Sequence, residues 1–122
     1  DQSTRLENRM PDGAAGVHIA IASVLTASRL GYESNMECPE AESGDALEVA
    51  STEEPAPAHL GEAIEKLLKD EVFKNAISAE MVDQFTAVKT VGWEKYLDAN
   101  SSWEESLERF TDWEASYYLP YL

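Results

Sequence analysis

The sequence predicts an α+β chain: one β-strand near the N-terminus, residues 3–10, followed by a mostly α-helical remainder. Three observations carry this. Arg5, Glu7 and Arg9 recur at a spacing of two, which in an extended segment places all three on one face. From Ala14 onward, apolar residues recur at helical spacing and are punctuated by capping residues rather than hairpin turns. Finally, 122 residues with 43% hydrophobic content, including three Trp, five Tyr and three Phe, suit one domain with one core and are too apolar for a disordered acidic tail.

Taken in order, the strand ends at Pro11-Asp12-Gly13, a turn sequence. Residues 14–30 are mostly Ala, Ile, Val and Leu, with Val17, Ile21, Val24 and Leu25 at helical spacing. They read as a largely buried helix closed by Gly31. Residues 33–58 follow as an acidic loop. No Lys or Arg occurs between Arg29 and Lys66, whereas ten acids lie from Glu33 to Glu65. Pro39, Gly44, Pro55 and Pro57 leave room there for one short helical turn near 45–50, and a loop so long is expected to be functional, mobile or laid on a partner subunit.

The region 60–118 reads as helical. Leu60–Lys69 sets Leu60, Ile64, Leu67 and Leu68 on one face, with Glu62–Lys66 and Glu65–Lys69 pairs opposite. Residues 70–76 form a short helix or turn. Ser78 caps a helix to about Leu97 that buries Met81, Val82, Phe85, Val88, Trp93 and Tyr96. Ser101 or Ser102 caps another over 103–110, and 112–118 runs into an aromatic end expected to dock on its own domain or a neighbour.

Nine Lys+Arg against twenty-four Asp+Glu give a net charge of −15, which argues against nucleic acid or an anionic membrane as partner. No apolar run has the length of a membrane span. A single cysteine, Cys38, excludes an internal disulfide and fits a reducing compartment, so a cytoplasmic location is expected. Because the chain opens at Asp1, in a polar segment with no Met, it is expected to be cut from something longer.

The Arg5–Glu7–Arg9 triplet is where chemistry is visible. A carboxylate between two guanidinium groups can form a structural ion-pair ladder. Alternatively, it can hold a divalent cation while the arginines grip oxyanions bound to that metal, since hard cations recruit one or two carboxylates plus substrate phosphates. Spacing alone leaves both open.

The order of the pieces adds a resemblance. Residues 4–15, Thr-Arg-Leu-Glu-Asn-Arg-Met-Pro-Asp-Gly-Ala-Ala, lead at once into an Ala-rich helix and resemble the C-terminal active-site strand of the glutamine synthetase family. His59-Leu60-Gly61-Glu62-Ala63-Ile64 is similar to a later helix start of that family, and Asp70-Glu71-Val72 to the acidic turn after it. Phe85–Lys89 with Trp93-Glu94 is similar to its penultimate helix, and Thr111–Glu114 with Tyr118 to its terminal segment.

The resemblance implies that residues 1–122 are the C-terminal part of a glutamine-synthetase-type catalytic domain. It implies an ATP-dependent ligase that joins the glutamate γ-carboxylate to ammonia or an amine through γ-glutamyl phosphate. Glu7 would be a ligand of Mg²⁺ or Mn²⁺, Arg9 would bind glutamate and the phosphoryl group in transfer, and Arg5 would lie near the nucleotide phosphates. The other ligands would come from the rest of the same enzyme chain, with homo-oligomeric rings placing sites between subunits, so this segment alone would be inactive. Gly16-Val17-His18 stands where the family has Asn-Pro-Tyr, a departure that fits an organic amine as substrate.

The alternative from another class is a stand-alone acidic helical interaction module in which the triplet is only a surface ladder. Other features read as structural. His18 is near-core, His59 is a surface or capping residue, Cys38 is unreactive among acids, and Trp93, Trp103 and Trp113 are packing residues.

Overall fold

The computed structural model describes residues 3–5, 7, 8, 10, 11, 13–41, 43, 44, 56–100, 102–104 and 110–121. Among these residues five α-helices follow one another: α1 Val17–Glu33, α2 Leu60–Lys69, α3 Glu71–Ile77, α4 Ala79–Ala99 and α5 Asp112–Tyr118, which runs into a 3₁₀ turn, Leu119–Tyr121. The expected short turn near 45–50 and residues 105–109 of the expected helix over 103–110 lie outside the described residues.

The fold class is all-helical among the described residues, and the expected strand over 3–10 is overturned. A strand exists only through ladder hydrogen bonds to a partner, and among the described residues of this segment the contacts made are local. The Met10 N–H donates to Asn8 Oδ1 at 3.1 Å, and Arg5 Nη1 donates to the Ser3 carbonyl at 3.4 Å. Alternation of side chains was a real pattern, but it does not supply a second strand.

α4 is the hub. α2, α3 and α5 all pack on it, and it holds the buried Val82, Thr86, Gly92 and Tyr96. Thr86 hides its hydroxyl by donating to the Val82 carbonyl at 2.8 Å, so no polar atom is stranded there. Met81, Phe85 and Trp93 are half-buried, but Val88 is 66% exposed, against expectation. The reason is phase: Val88 lies six residues beyond Val82, about 240° around the helix, away from the face that α2 and α3 cover.

Caps set the helix boundaries. The Asp70 carboxylate accepts from Phe73 N at 2.9 Å and Ser78 Oγ from Met81 N at 3.2 Å, opening α3 and α4. Thr111 and Glu114 form a reciprocal capping box that starts α5 as a separate helix. Both expected α2 pairs form, Glu62–Lys66 at 3.5 Å and Glu65–Lys69 at 3.3 Å.

α1 departs most from expectation. It runs through Gly31, and the stop is Asn35, in the left-handed region at φ 51°. There Met36 N donates to the Gly31 carbonyl at 2.9 Å and Asn35 N to that of Tyr32 at 3.2 Å, the paired bonds of a Schellman ending. Nor is α1 largely buried: none of its residues is. Among the described helices its neighbour is α3, where Arg29 Nη2 donates to the Ala76 carbonyl at 3.2 Å.

Candidate functional site

Of the three residues singled out by sequence, the structure brings two together. Arg5 Nη2 stands 3.7 Å from Glu7 Oε2, with the two side chains 69% and 57% exposed. Arg9 lies outside the described residues. An exposed pair of this kind is held weakly, because water screens both charges, so another ligand could exchange for the contact at little cost.

The chemistry of Glu7 suits a divalent cation as one hard oxygen ligand beside a guanidinium that would face phosphate oxygens. It is not a complete site. Among the described residues no group of three His, Cys, Asp or Glu is placed to hold a metal.

The segment carrying this pair leads into a groove of about 760 Å³. Asn8 and Gly13 form one lip, Ile19 and Val24 of α1 one wall, and Phe85 of α4 and Tyr118 of α5 the other. Lys89 and Glu114 are its charged lining residues, and the Lys89 ammonium also lies 5.6 Å from the centre of the Phe85 ring. The groove is mostly apolar, so it offers contact area more than chemistry.

Behind the groove runs a chain of rings. His59 stacks on Trp93 at 5.0 Å with planes 2° apart, and Trp93 stacks on Tyr96 at 5.6 Å. Tyr96 meets the edge of Trp113 at 5.4 Å, and Trp113 stacks on Tyr117 at 4.6 Å. The tryptophans are therefore packing residues that tie α2, α4 and α5 together, each ring pair adding about 0.5–1.5 kcal/mol beyond burial.

His59 is the capping residue that the sequence offered it as. Its Nδ1 accepts from Glu62 N at 3.2 Å, capping α2, so this nitrogen carries no proton and the ring N–H is on Nε2. Glu62 answers by accepting the Ala58 N–H at 2.8 Å, and that bond holds its carboxyl below the ordinary 4.5. The spacing His59-x-x-Glu62 is that of a capping box with imidazole in place of a hydroxyl, a readable signal. On α3, a hydrogen bond to Asp83 raises the Lys74 ammonium above its ordinary value, the two groups being 2.9 Å apart.

Among the described residues, what the fold and the site define is a helical domain with an exposed carboxylate–guanidinium pair in the segment that precedes α1. Comparison with known proteins gives that domain a family. The model of the glutamine synthetase catalytic domain matches residues 1–107, and the chain belongs to the glutamine synthetase family.

The glutamine synthetase of Staphylococcus epidermidis is 32% identical over 108 residues, covering 84% of this chain and 24% of that protein. That of Methanocaldococcus jannaschii is 28% identical over 126 aligned positions, covering 98% of this chain and 26% of that protein. The chain thus spans about a quarter of the length of the curated relatives it matches. No solved structure matches it. Among the described residues, no helix is long and apolar enough to cross a membrane.

Proposed function

We propose that the chain acts as one part of an ATP-dependent carbon–nitrogen ligase that joins the γ-carboxylate of glutamate to ammonia or an organic amine. The observation that carries this reading is the match of the catalytic-domain model across residues 1–107, a span that includes the Arg5–Glu7–Arg9 segment. In the reaction, the γ-phosphoryl group of ATP passes to a γ-carboxylate oxygen, giving γ-glutamyl phosphate and ADP. The amine nitrogen then attacks the acyl carbon, the bond from that carbon to the phosphate oxygen breaks, inorganic phosphate leaves, and the nitrogen loses a proton to solvent.

Each residue has a role set by its charge. Glu7 supplies one carboxylate ligand to Mg²⁺ or Mn²⁺, which neutralises charge while two anions are brought together. Arg9 holds the glutamate carboxylate and the phosphoryl oxygens, and Arg5, beside Glu7, faces the nucleotide phosphates. The remaining ligands belong to the rest of the enzyme chain, and homo-oligomeric rings in the cytoplasm complete the picture. Gly16-Val17-His18 at the entry to α1 favours an amine larger than ammonia.

The test is glutamate-dependent release of phosphate from ATP by the full-length enzyme against a panel of amines, with Mg²⁺ or Mn²⁺. Glu7→Ala is expected to abolish turnover and Arg9→Ala to reduce it by roughly 100-fold or more, as loss of transition-state charge stabilisation does. Undiminished turnover of Glu7→Ala would remove Glu7 from the site. Failure of every amine would leave the reading of an acidic interaction module.

A further inference from the structure

A second cavity, of about 130 Å³, lies where α2, α4 and α5 meet. The rings of His59, Trp93, Tyr96, Trp113 and Tyr118 wall it, together with Glu114. These rings stand in two orientations. His59 on Trp93 and Trp93 on Tyr96 are nearly parallel, at 2° and 7°. Trp113 is turned 82° from Tyr96, and Tyr118 is turned 87° from Trp113. Parallel rings close up on each other, whereas a corner between rings at right angles leaves space, and the cavity is that corner.

Three features give the corner a sign. Aromatic faces carry the negative side of the ring quadrupole and attract cations, Trp most strongly. Glu114 adds a carboxylate whose two oxygens are used unequally. Its Oε2 accepts from Thr111 N at 2.7 Å and from Thr111 Oγ1 at 2.8 Å, while Oε1 accepts no hydrogen bond among the described residues. The net charge of −15 concentrates cations around the whole chain. An anion is opposed by all three. A neutral apolar molecule would take water from the Glu114 carboxylate and give nothing back.

We infer that this corner is a binding site for a small methylated ammonium cation. Its volume equals that of about four waters at about 30 Å³ each, room for one ammonium headgroup and little more. A primary ammonium is strongly hydrated, and ring walls do not replace the hydrogen bonds of its three donors. Methyl groups turn that cost into contact, because they meet the rings while the charge stays within reach of the π faces and of Glu114. A quaternary nitrogen has no lone pair and cannot attack an acyl phosphate. Such a cation is therefore bound and not turned over, and the inference does not rest on the ligase reading.

The experiment is saturation-transfer NMR on the methyl protons of tetramethylammonium, titrated into the full-length protein. Expected is a Kd on the order of 1 mM, modest because so few atoms make contact. Glu114→Gln keeps an oxygen for the Thr111 cap and removes the charge, so it should weaken binding roughly tenfold. Tyr118→Leu removes one wall and should weaken it roughly fivefold. tert-Butanol, of similar shape without charge, and methylammonium should each compete at least roughly tenfold more weakly than choline.

Absence of transfer at tens of millimolar tetramethylammonium overturns the proposal. So does equal competition by tert-butanol, which would make the corner an apolar hole, or by methylammonium, which would make methylation irrelevant. Transfer that both variants leave unchanged places the cation elsewhere and overturns it as well. The comparison among competitors uses the wild-type protein and so does not depend on either variant folding.

Discussion

Gly61 approaches Trp93 so closely that a β-carbon on Gly61 would stand 2.5 Å from Trp93 Nε1 and 2.9 Å from Cε2. The indole cannot simply swing away, because it is stacked between α2 and the rest of the ring chain through His59 and Tyr96. Gly61→Ala is therefore expected to destabilise the α2–α4 contact by about 1–3 kcal/mol, the usual result of overpacking. Gly92 offers the control. A β-carbon there meets the Tyr117 hydroxyl at 3.4 Å, an ordinary van der Waals contact. Ala also improves a helix interior by about 1 kcal/mol, so Gly92→Ala should be near neutral. Urea titrations of the two variants read the difference.

Ser78 sits at φ 152°, a conformation that L side chains rarely adopt, and it stays there because its Oγ caps Met81 N at 3.2 Å. Ser78→Ala keeps the backbone cost and loses the cap, so a loss of about 1 kcal/mol is expected. Ser78→Gly loses the cap but relieves the backbone, and should cost less or nothing. Thermal melts that rank Ala above Gly in stability would refute this account of the α3–α4 junction.

Glu62 gives a pH dependence of definite sign. The Ala58 N–H holds its folded carboxyl below 4.5, so the charged form is favoured by folding. The associated stability is present above 4.5 and is lost as pH falls through the depressed folded value. Wild type should exceed Glu62→Gln in stability at pH 7, and the gap should close in strongly acidic solution. A gap that stays constant with pH would mean that the charge of Glu62 is irrelevant to its capping role.

How much of this was legible depends on whether a feature is local. The start of α2 at Leu60, the Ser78 cap and the Glu62–Lys66 and Glu65–Lys69 pairs were readable, because each is settled within four residues. The end of α1 was misread because Gly31 and Asn35 can both stop a helix, and Asn35 prevails only once Met36 folds back to the Gly31 carbonyl. The exposure of Val88 and of α1 was hidden, since burial depends on which elements are present to do the covering. In the candidate site, Arg5 does stand beside Glu7, but not on the face of a strand as the alternation suggested, because alternation could not supply the ladder that a strand requires. Nor could it reveal the stack of His59 on Trp93, which joins residues thirty-four positions apart.

Arg29 is the last point at which a small change should have a localised effect. Its Nη1 pairs with Glu33 Oε1 at 3.3 Å along α1, while Nη2 reaches the Ala76 carbonyl at 3.2 Å near the C-terminus of α3. The carbonyl end of a helix carries partial negative charge, so a guanidinium is well placed there, and its fork lets one side chain serve both partners. Lysine presents a single point charge and cannot hold the same two contacts in one geometry. Arg29→Lys should therefore loosen α1 from α3. Because α1 has no buried residue and meets no other helix among the described residues, the loosening should remain confined to it. Hydrogen exchange is expected to accelerate over Val17–Glu33 in the 122-residue chain while Val82, Thr86 and Tyr96 in α4 keep their protection. If protection falls equally in α4, then α1 is coupled to the hub by more than this tether. If it falls nowhere, the Ala76 bond contributes nothing to holding α1 in place.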